Sequence, residues 1–211
     1  MINLGEYGSI GDAWIAIIKH IIEQGIKVTT PNEVYYEYKG VSIDIHHSLK
    51  IDPIISKYGD EQAIHWMKNN FEVKGIVKEL RNARSYASRL YDYAEQKNQI
   101  DWVVNKLRAN PFARSVTITT FEPLTDFTYI PCVSLLDFDI SDGKLDLYIY
   151  ARALDFGGKA YANLICLQDI LDAVACQLGV PVGKLHLICK SVHFYDKDYS
   201  RMISILSTSN N

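Results

Sequence analysis

The residue best suited to chemistry is Cys132, in the stretch "YIPCVSLLDFDI". A cysteine that follows a proline and opens an alternating apolar run has two readings: a packed core thiol, or a nucleophile presented at the mouth of a strand. A thiolate is a strong nucleophile and a good leaving group, and it needs a nearby cation to lower its pKa. His193 and Tyr195 stand two apart in "VHFY". On a strand they share one face and can hold one ligand group together. Asn163 precedes an apolar helical run, where it can cap the helix; its carboxamide can also donate and accept at once. His46 and His47 are adjacent on a strand-like segment and point to opposite faces, against a shared metal.

The elements that must position these groups are legible in part. "DAWIAIIKHIIEQ" carries a helical stripe at Trp14, Ile15, Ile17, Ile18, Ile21 and Ile22, with Asp12 as N-cap and Gly25 as stop. "EVYYEYKGVSIDIHH" alternates and reads as a hairpin turning at Gly40. "DEQAIHWMKNNF" reads as a short helix, and a further helix is expected over Val73 to Arg84. Ile100, Val103, Val104 and Leu107 share a helix face that ends before Pro111. "ARSVTITTF" is a strand. "CVSLLDFDI" and "KLDLYIYARAL" are strands joined at Asp142-Gly143, a strong hairpin signal. "DFGGKAYAN" is a glycine-bearing loop, Gly179 ends the apolar helix after it, "KLHLICKSVHFY" is a last strand, and the tail reads as frayed. Helix, strands, buried helix and strand in that order predict one α+β domain over residues 1–211.

Composition excludes several classes. The chain has 211 residues, 48% hydrophobic and 22% charged, enough for a self-sufficient core. The net charge of -3 argues against a general nucleic-acid surface, so an anionic ligand must be met by a few local cations. No apolar run approaches a membrane span, and the start of the chain lacks a signal-peptide pattern. Cys132, Cys166, Cys176 and Cys189 form no CxxC pair. Free thiols in a reducing cytoplasm, and no metal, are the expectation. P-loop, zinc-protease and dinucleotide fingerprints are missing. The 14 tyrosines can line a pocket or pack in the core or at an interface.

From about Gln99 to Tyr195 the chain resembles the thymidylate synthase superfamily. "QIDWVVNKLRANPFARSVTITTF" looks like the segment ending in a phosphate-binding arginine; "IPC" looks like the nucleophile site. "DGKLDLYIYARALD" is similar to the family's hairpin and arginine-x-x-aspartate, "GVPVG" approximates its glycine-proline turn, and "VHFY" matches its histidine-x-tyrosine. The resemblance implies a large mixed β-sheet packed by helices and a sheet-to-sheet homodimer. It implies folate-dependent C5 methylation of a uracil nucleotide, dUMP to dTMP, through a covalent Cys132–C6 adduct. The one-carbon donor would be 5,10-methylenetetrahydrofolate. The alternatives are a C5 hydroxymethylase acting on dUMP, dCMP or CMP, and a non-catalytic nucleotide-binding paralogue.

By the same resemblance Arg152 contacts both phosphate and cysteine, and Arg114 reaches the partner's phosphate. Asn163 reads the pyrimidine edge; the family's cytosine-acting hydroxymethylases tend to carry aspartate there, so asparagine favours uracil. His193 and Tyr195 hold the sugar, Asp155 meets the pterin, and Gly157 and Gly158 allow the backbone close. Glu61 is the candidate catalytic acid, with Glu37 and Glu72 as alternatives.

The sequence also departs from the pattern. "KVTTPNEVYYEYKG" lacks the clamping arginine of the usual bacterial enzyme, Ala153 and Ser115 replace a serine and a second arginine, and Val133 replaces a histidine. Arg84 or Arg89 could compensate. The chain ends about sixteen residues after Tyr195, without the long closing segment of the bacterial enzyme, as in short archaeal-type members.

Overall fold

The computed structural model describes residues 1–46 and 51–209. The chain runs β1 (Ile2–Tyr7), α1 (Ile10–Gln24), β2 (Ile26–Thr29), β3 (Val34–His46), α2 (Pro53–Tyr58) and α3 (Glu61–Glu72). The short β4 (Ile76–Val77) and β5 (Ala83–Arg84) flank a 3-10 turn and are followed by α4 (Tyr86–Tyr91), α5 (Gln99–Ala109) and β6 (Thr117–Thr119). Then come β7 (Val133–Ser141), β8 (Lys144–Ala151), β9 (Leu154–Asp155), α6 (Ala160–Leu178), β10 (Val182–Tyr195) and α7 (Tyr199–Ser209).

One mixed sheet has the order β1-β3-β10-β8-β7-β6, with β2 on β3 and β9 on β10. β10 lies between an antiparallel β3 and a parallel β8. Alternation along the strands sends Val41, Ile43, Ile45, Leu145, Leu147, Ile149, Leu185 and Leu187 into the core. They meet the α1 stripe and α6, whose Leu164, Leu167, Leu171 and Val174 are fully buried. Trp14 ties the layers together: its Nε1 donates to the Phe156 carbonyl (2.7 Å) and its ring packs on Tyr161 (4.6 Å). The alternate residues Leu135, Tyr148 and Tyr150 leave the opposite face of β7 and β8 exposed. This is the expected α+β architecture, a large mixed sheet packed by helices. Among the described residues no helix is long and apolar enough to cross a membrane.

The hairpin at Asp142-Gly143 forms as expected, both residues having positive φ (51° and 74°), and α3, α5, β6 and the Gly179 stop (φ 71°) are where the pattern placed them. Five readings need correction. α1 starts earlier, capped by Ser9, whose side chain accepts from the Asp12 amide. β3 does not turn at Gly40; that glycine takes φ 77° inside one continuous strand, and the hairpin is β2–β3, closed at Thr30 and Glu33. Val73 to Arg84 is not a helix. Gly75 at φ 155° and the left-handed pair Arg81 and Asn82 (φ 56° and 60°) break it into β4, a 3-10 turn and β5. Asn163 does not cap α6, which begins after Lys159. The tail is helical through Ser209, anchored by the buried Met202 and Ile205. His46 contacts Glu6 (2.8 Å); His47 lies outside the described residues.

Candidate active site

Cys132 immediately precedes β7, and its carbonyl accepts from the Arg152 amide (2.9 Å), so the pairing of Val133 with Ala151 continues to the nucleophile candidate. The Arg152 side chain folds back over the same loop. Its Nε donates to the Ile130 and Pro131 carbonyls (3.2 Å each), its Nη2 donates to Ile130 (2.6 Å), and Nη2 stands 3.9 Å from Cys132 Sγ. These carbonyls fix the guanidinium beside the sulfur.

A pocket of about 310 Å³ opens over the sulfur. Arg152, Asp155, Asn163, His193 and Tyr195 line it together with Cys132. These residues come from one end of the sheet and the start of α6, as the register requires: β10 pairs His193 with Asp155 of β9 and with Glu37 of β3. Asp155 Oδ1 accepts from the Gly157 and Gly158 amides (3.0 and 3.1 Å). A Cβ at Gly158 would sit 2.5 Å from Asp155 Oδ2, so glycine there leaves the carboxylate its place. Asn163 lies buried in the first turn of α6, its Nδ2 donating to the Lys159 carbonyl (2.8 Å). Its Oδ1 and second amide proton are left for a ligand. His193 and Tyr195 meet edge to face at 5.5 Å, with Tyr35 close to both. His193 Nδ1 is buried without a hydrogen bond of ordinary geometry, although the Ser191 backbone acts on the ring.

Burial decides the protonation states. It pushes the Cys132 thiol up, and Arg152, a Tyr129 hydrogen bond and Lys159 only partly oppose it. The expected lowered thiol pKa is therefore not found: the free pocket holds a protonated thiol at neutral pH, because one guanidinium does not outweigh the loss of water. Burial likewise holds His193 down, hence neutral, and raises Asp155. Tyr129 is pushed up to about 12, first by burial and then by Cys132.

Two of the candidate residues, Glu61 and Arg114, lie outside this pocket of their own chain. Glu61 opens α3 on the exposed side and does not line the pocket; that helix sends Trp66, Met67 and Asn70 there instead. Among the described residues lining the pocket, Asp155 is the carboxylate. Of the alternatives, Glu37 accepts from Ser191 Oγ (2.6 Å) behind the pocket and acts on His193 through charge, and Glu72 borders a separate small cavity. Arg114 is exposed between α5 and β6, away from the pocket of its own chain. Arg84 and Arg89, the candidates for compensation, are engaged with other protein groups and do not line this pocket. Arg89 is buried in a fork to Asp126 (2.6 and 2.7 Å), and Arg84 donates to the Asp92 carbonyl (2.7 Å).

Sequence reasoning missed Tyr86, Tyr129, Lys159 and Trp66. Tyr86 is fully buried, and its hydroxyl accepts from the Val133 amide (3.1 Å). Lys159 Nζ lies 3.6 Å from the centre of the Trp66 ring, and burial lowers its pKa. Tyr129 and Lys159 flank recognised motifs and could have been found; Trp66 and Tyr86 carry no local signal.

The fold and pocket define an α+β protein with a half-buried thiol and an arginine at the ends of adjacent strands and a buried carboxamide in the first turn of α6. The chain belongs to the thymidylate synthase family, whose model matches residues 46–211, and is an enzyme of the one-carbon transferase class. A protein of Methanosarcina mazei named "Putative thymidylate synthase" is 35% identical over 96% of this chain and 94% of its own length. One of the same name from Methanosarcina acetivorans is 37% identical over 60% of this chain, which covers 59% of that relative. The "Deoxyuridylate hydroxymethyltransferase" of Bacillus phage SP01 is 37% identical over 51% of this chain and 30% of its own length.

Proposed function

We propose that this enzyme methylates dUMP at C5, giving dTMP, through a covalent bond between Cys132 and C6. The carrying observation is Cys132 Sγ beside Arg152 (3.9 Å) in one pocket with Asn163 and His193. Sulfur addition at C6 moves the ring's π pair toward O4 and makes C5 a carbon nucleophile that would attack the donor's methylene. Loss of the C5 proton would then expel the folate amine and leave an exocyclic methylene. Hydride from the folate (released as dihydrofolate) would make it the methyl, and the sulfur–carbon bond would break as the ring double bond returns. Arg152 stabilises charge on sulfur and meets the phosphate. Since the free thiol is protonated, its deprotonation belongs to the substrate-bound state. Asn163 holds O4 and N3–H. The His193 ring and Tyr195 take the sugar 3′-hydroxyl. Neutral His193 can donate or accept, which suits a hydroxyl.

The donor, 5,10-methylenetetrahydrofolate, supplies the one-carbon unit and, for methylation, the reducing equivalent. Asp155 and Gly158 would hold its pterin; the carboxylate fixed by two backbone amides offers the acceptor that a pterin amine requires. Arg114 contributes to the site of a partner subunit in a sheet-to-sheet homodimer. The exposed Leu135, Tyr148 and Tyr150 support that arrangement, as they form an apolar, aromatic strip on an uncovered sheet face. One domain spans residues 1–211. The four free cysteines suit a cytoplasmic setting.

The phage relative's name favours a second reading, hydroxymethylation, in which water ends the reaction in place of hydride. Incubation with dUMP and labelled methylenetetrahydrofolate, with products resolved by mass, tests both. A methyl product supports the first reading, a hydroxymethyl product the second, and no product with either dUMP or a cytosine nucleotide refutes both.

A further inference from the structure

A second cavity, of about 490 Å³, adjoins the Cys132 pocket and shares Leu80, Tyr129 and Arg152 with it. Its outer wall is Arg81 and Thr128, with Ile130 at the side. Arg152 thus stands between two spaces, its Nη2 toward sulfur and its remaining guanidinium edge free for a ligand. Arg81 reaches the cavity because the left-handed backbone at Arg81 and Asn82 turns the chain sharply before β5. Its Nη1 donates to the Thr128 carbonyl (3.3 Å), a long bond that holds the side chain over the opening.

The other arginines of this region are spent. Arg89 is locked to Asp126 and Arg84 to the Asp92 carbonyl near Glu122. Among the described residues, no carboxylate lies within ion-pair distance of Arg81 or Arg152. Two guanidinium groups face one cavity beside the nucleophile, and neither is ion-paired among the described residues. Glu79 also borders the cavity, so one wall is acidic; this disfavours a diffuse polyanion and leaves room for a single compact anionic group between the arginines.

We propose that Arg81 and Arg152 of the same chain clamp the 5′-phosphate of the nucleotide in this second cavity. Arg81 would do in cis what the missing arginine of "KVTTPNEVYYEYKG" cannot. The substrate class is then a nucleoside 5′-monophosphate, with the phosphate outside and the base over Cys132. This rests on the nucleotide reading of the Cys132 pocket.

Calorimetric titration of dUMP and of deoxyuridine tests it on wild type, Arg81→Gln and Arg81→Lys. Arg81→Gln removes the charge and, being shorter, gives up the long Thr128 contact as well, so thermal melting monitors folding. Expected is about a 10- to 100-fold weaker dUMP affinity in Arg81→Gln with deoxyuridine unchanged, as for a lost charged hydrogen bond. Arg81→Lys, which keeps charge but not the fork, should fall between. It also decides the matter if Arg81→Gln does not fold, since wild-type affinity there overturns the clamp. Unchanged dUMP affinity in a folded Arg81→Gln, or an equal loss for dUMP and deoxyuridine, overturns the assignment alone. A wild-type protein that binds neither ligand overturns the nucleotide reading as well.

Discussion

Arg152 approaches Cys132 by gripping the backbone that leads into it: the guanidinium donates to the Ile130 and Pro131 carbonyls while Nη2 stands 3.9 Å from the sulfur. The cation therefore cannot drift from the thiol without losing three hydrogen bonds. Its position is set before any substrate arrives, which is how a polar site avoids reorganising during reaction.

Cys132→Ala should abolish the covalent adduct formed with 5-fluoro-dUMP and methylenetetrahydrofolate. Intact-protein mass spectrometry after denaturation reads this directly. An adduct of wild-type yield in the variant assigns the nucleophile elsewhere.

The free Cys132 thiol should alkylate slowly at neutral pH, with a rate that climbs only above the ordinary thiol range, because burial outweighs Arg152. Arg152→Gln removes the main opposing charge and should move that profile to still higher pH. The pH dependence of iodoacetamide labelling checks both, with the other three cysteines replaced by alanine or serine.

Glu61→Gln should leave turnover within about twofold, as expected of an exposed surface change. Asp155→Asn, inside the pocket, should raise the KM for the folate while leaving dUMP affinity near wild type. Steady-state kinetics in each substrate separate the two, and a large loss in Glu61→Gln would restore that residue to the site.

Gly158→Ala places a methyl 2.5 Å from Asp155 Oδ2 and must displace the carboxylate. The folate KM should rise about tenfold or more, in the range that an ångström of misplacement costs, with dUMP affinity kept. Equal losses for both substrates would point to a wider distortion.

Stability should fall as pH rises above about 9. Burial pushes Cys166 and Cys189 up to about 12 from an ordinary 9.0. A thiol whose folded pKa is raised binds its proton more tightly in the native state. Its contribution is whole below the unfolded pKa and is lost as pH climbs toward the folded one, at roughly 1.4 kcal/mol per pH unit for each thiol. Urea melts between pH 8 and pH 10 should show the slope, and Cys166→Ala with Cys189→Ala should flatten it.

Trp14→Phe should destabilise the fold by about 1–3 kcal/mol, since it leaves the buried Phe156 carbonyl without its indole donor. Chemical denaturation measures it, and a loss below about 0.5 kcal/mol would mean that the carbonyl finds another donor.

Much of the scaffold follows from local pattern. Asp142-Gly143 reads as a hairpin because few residues accept two successive positive φ angles. Ile100, Val103, Val104 and Leu107 read as a helix because one face must meet the core. The family pattern from Cys132 to Tyr195 is legible for a related reason: the residues lie on regular elements at fixed spacing, so Asp155, Asn163, His193 and Tyr195 reach one pocket with Cys132.

What the tertiary structure alone decided depends on contacts distant in sequence. Gly40 looks like a turn, yet β10 pairs with β3 on both sides of it and pulls it into one strand. Arg89 looks like a free cation until Asp126, 37 residues away, claims it. Glu61 and Trp66 share a helix, and only the packing of α3 against the site shows that Trp66 lines the pocket and Glu61 does not. The protonation of Cys132 belongs here too. Sequence supplied the sulfur and the arginine, but the balance between a cation at 3.9 Å and the loss of water is set by how deeply the folded chain buries them.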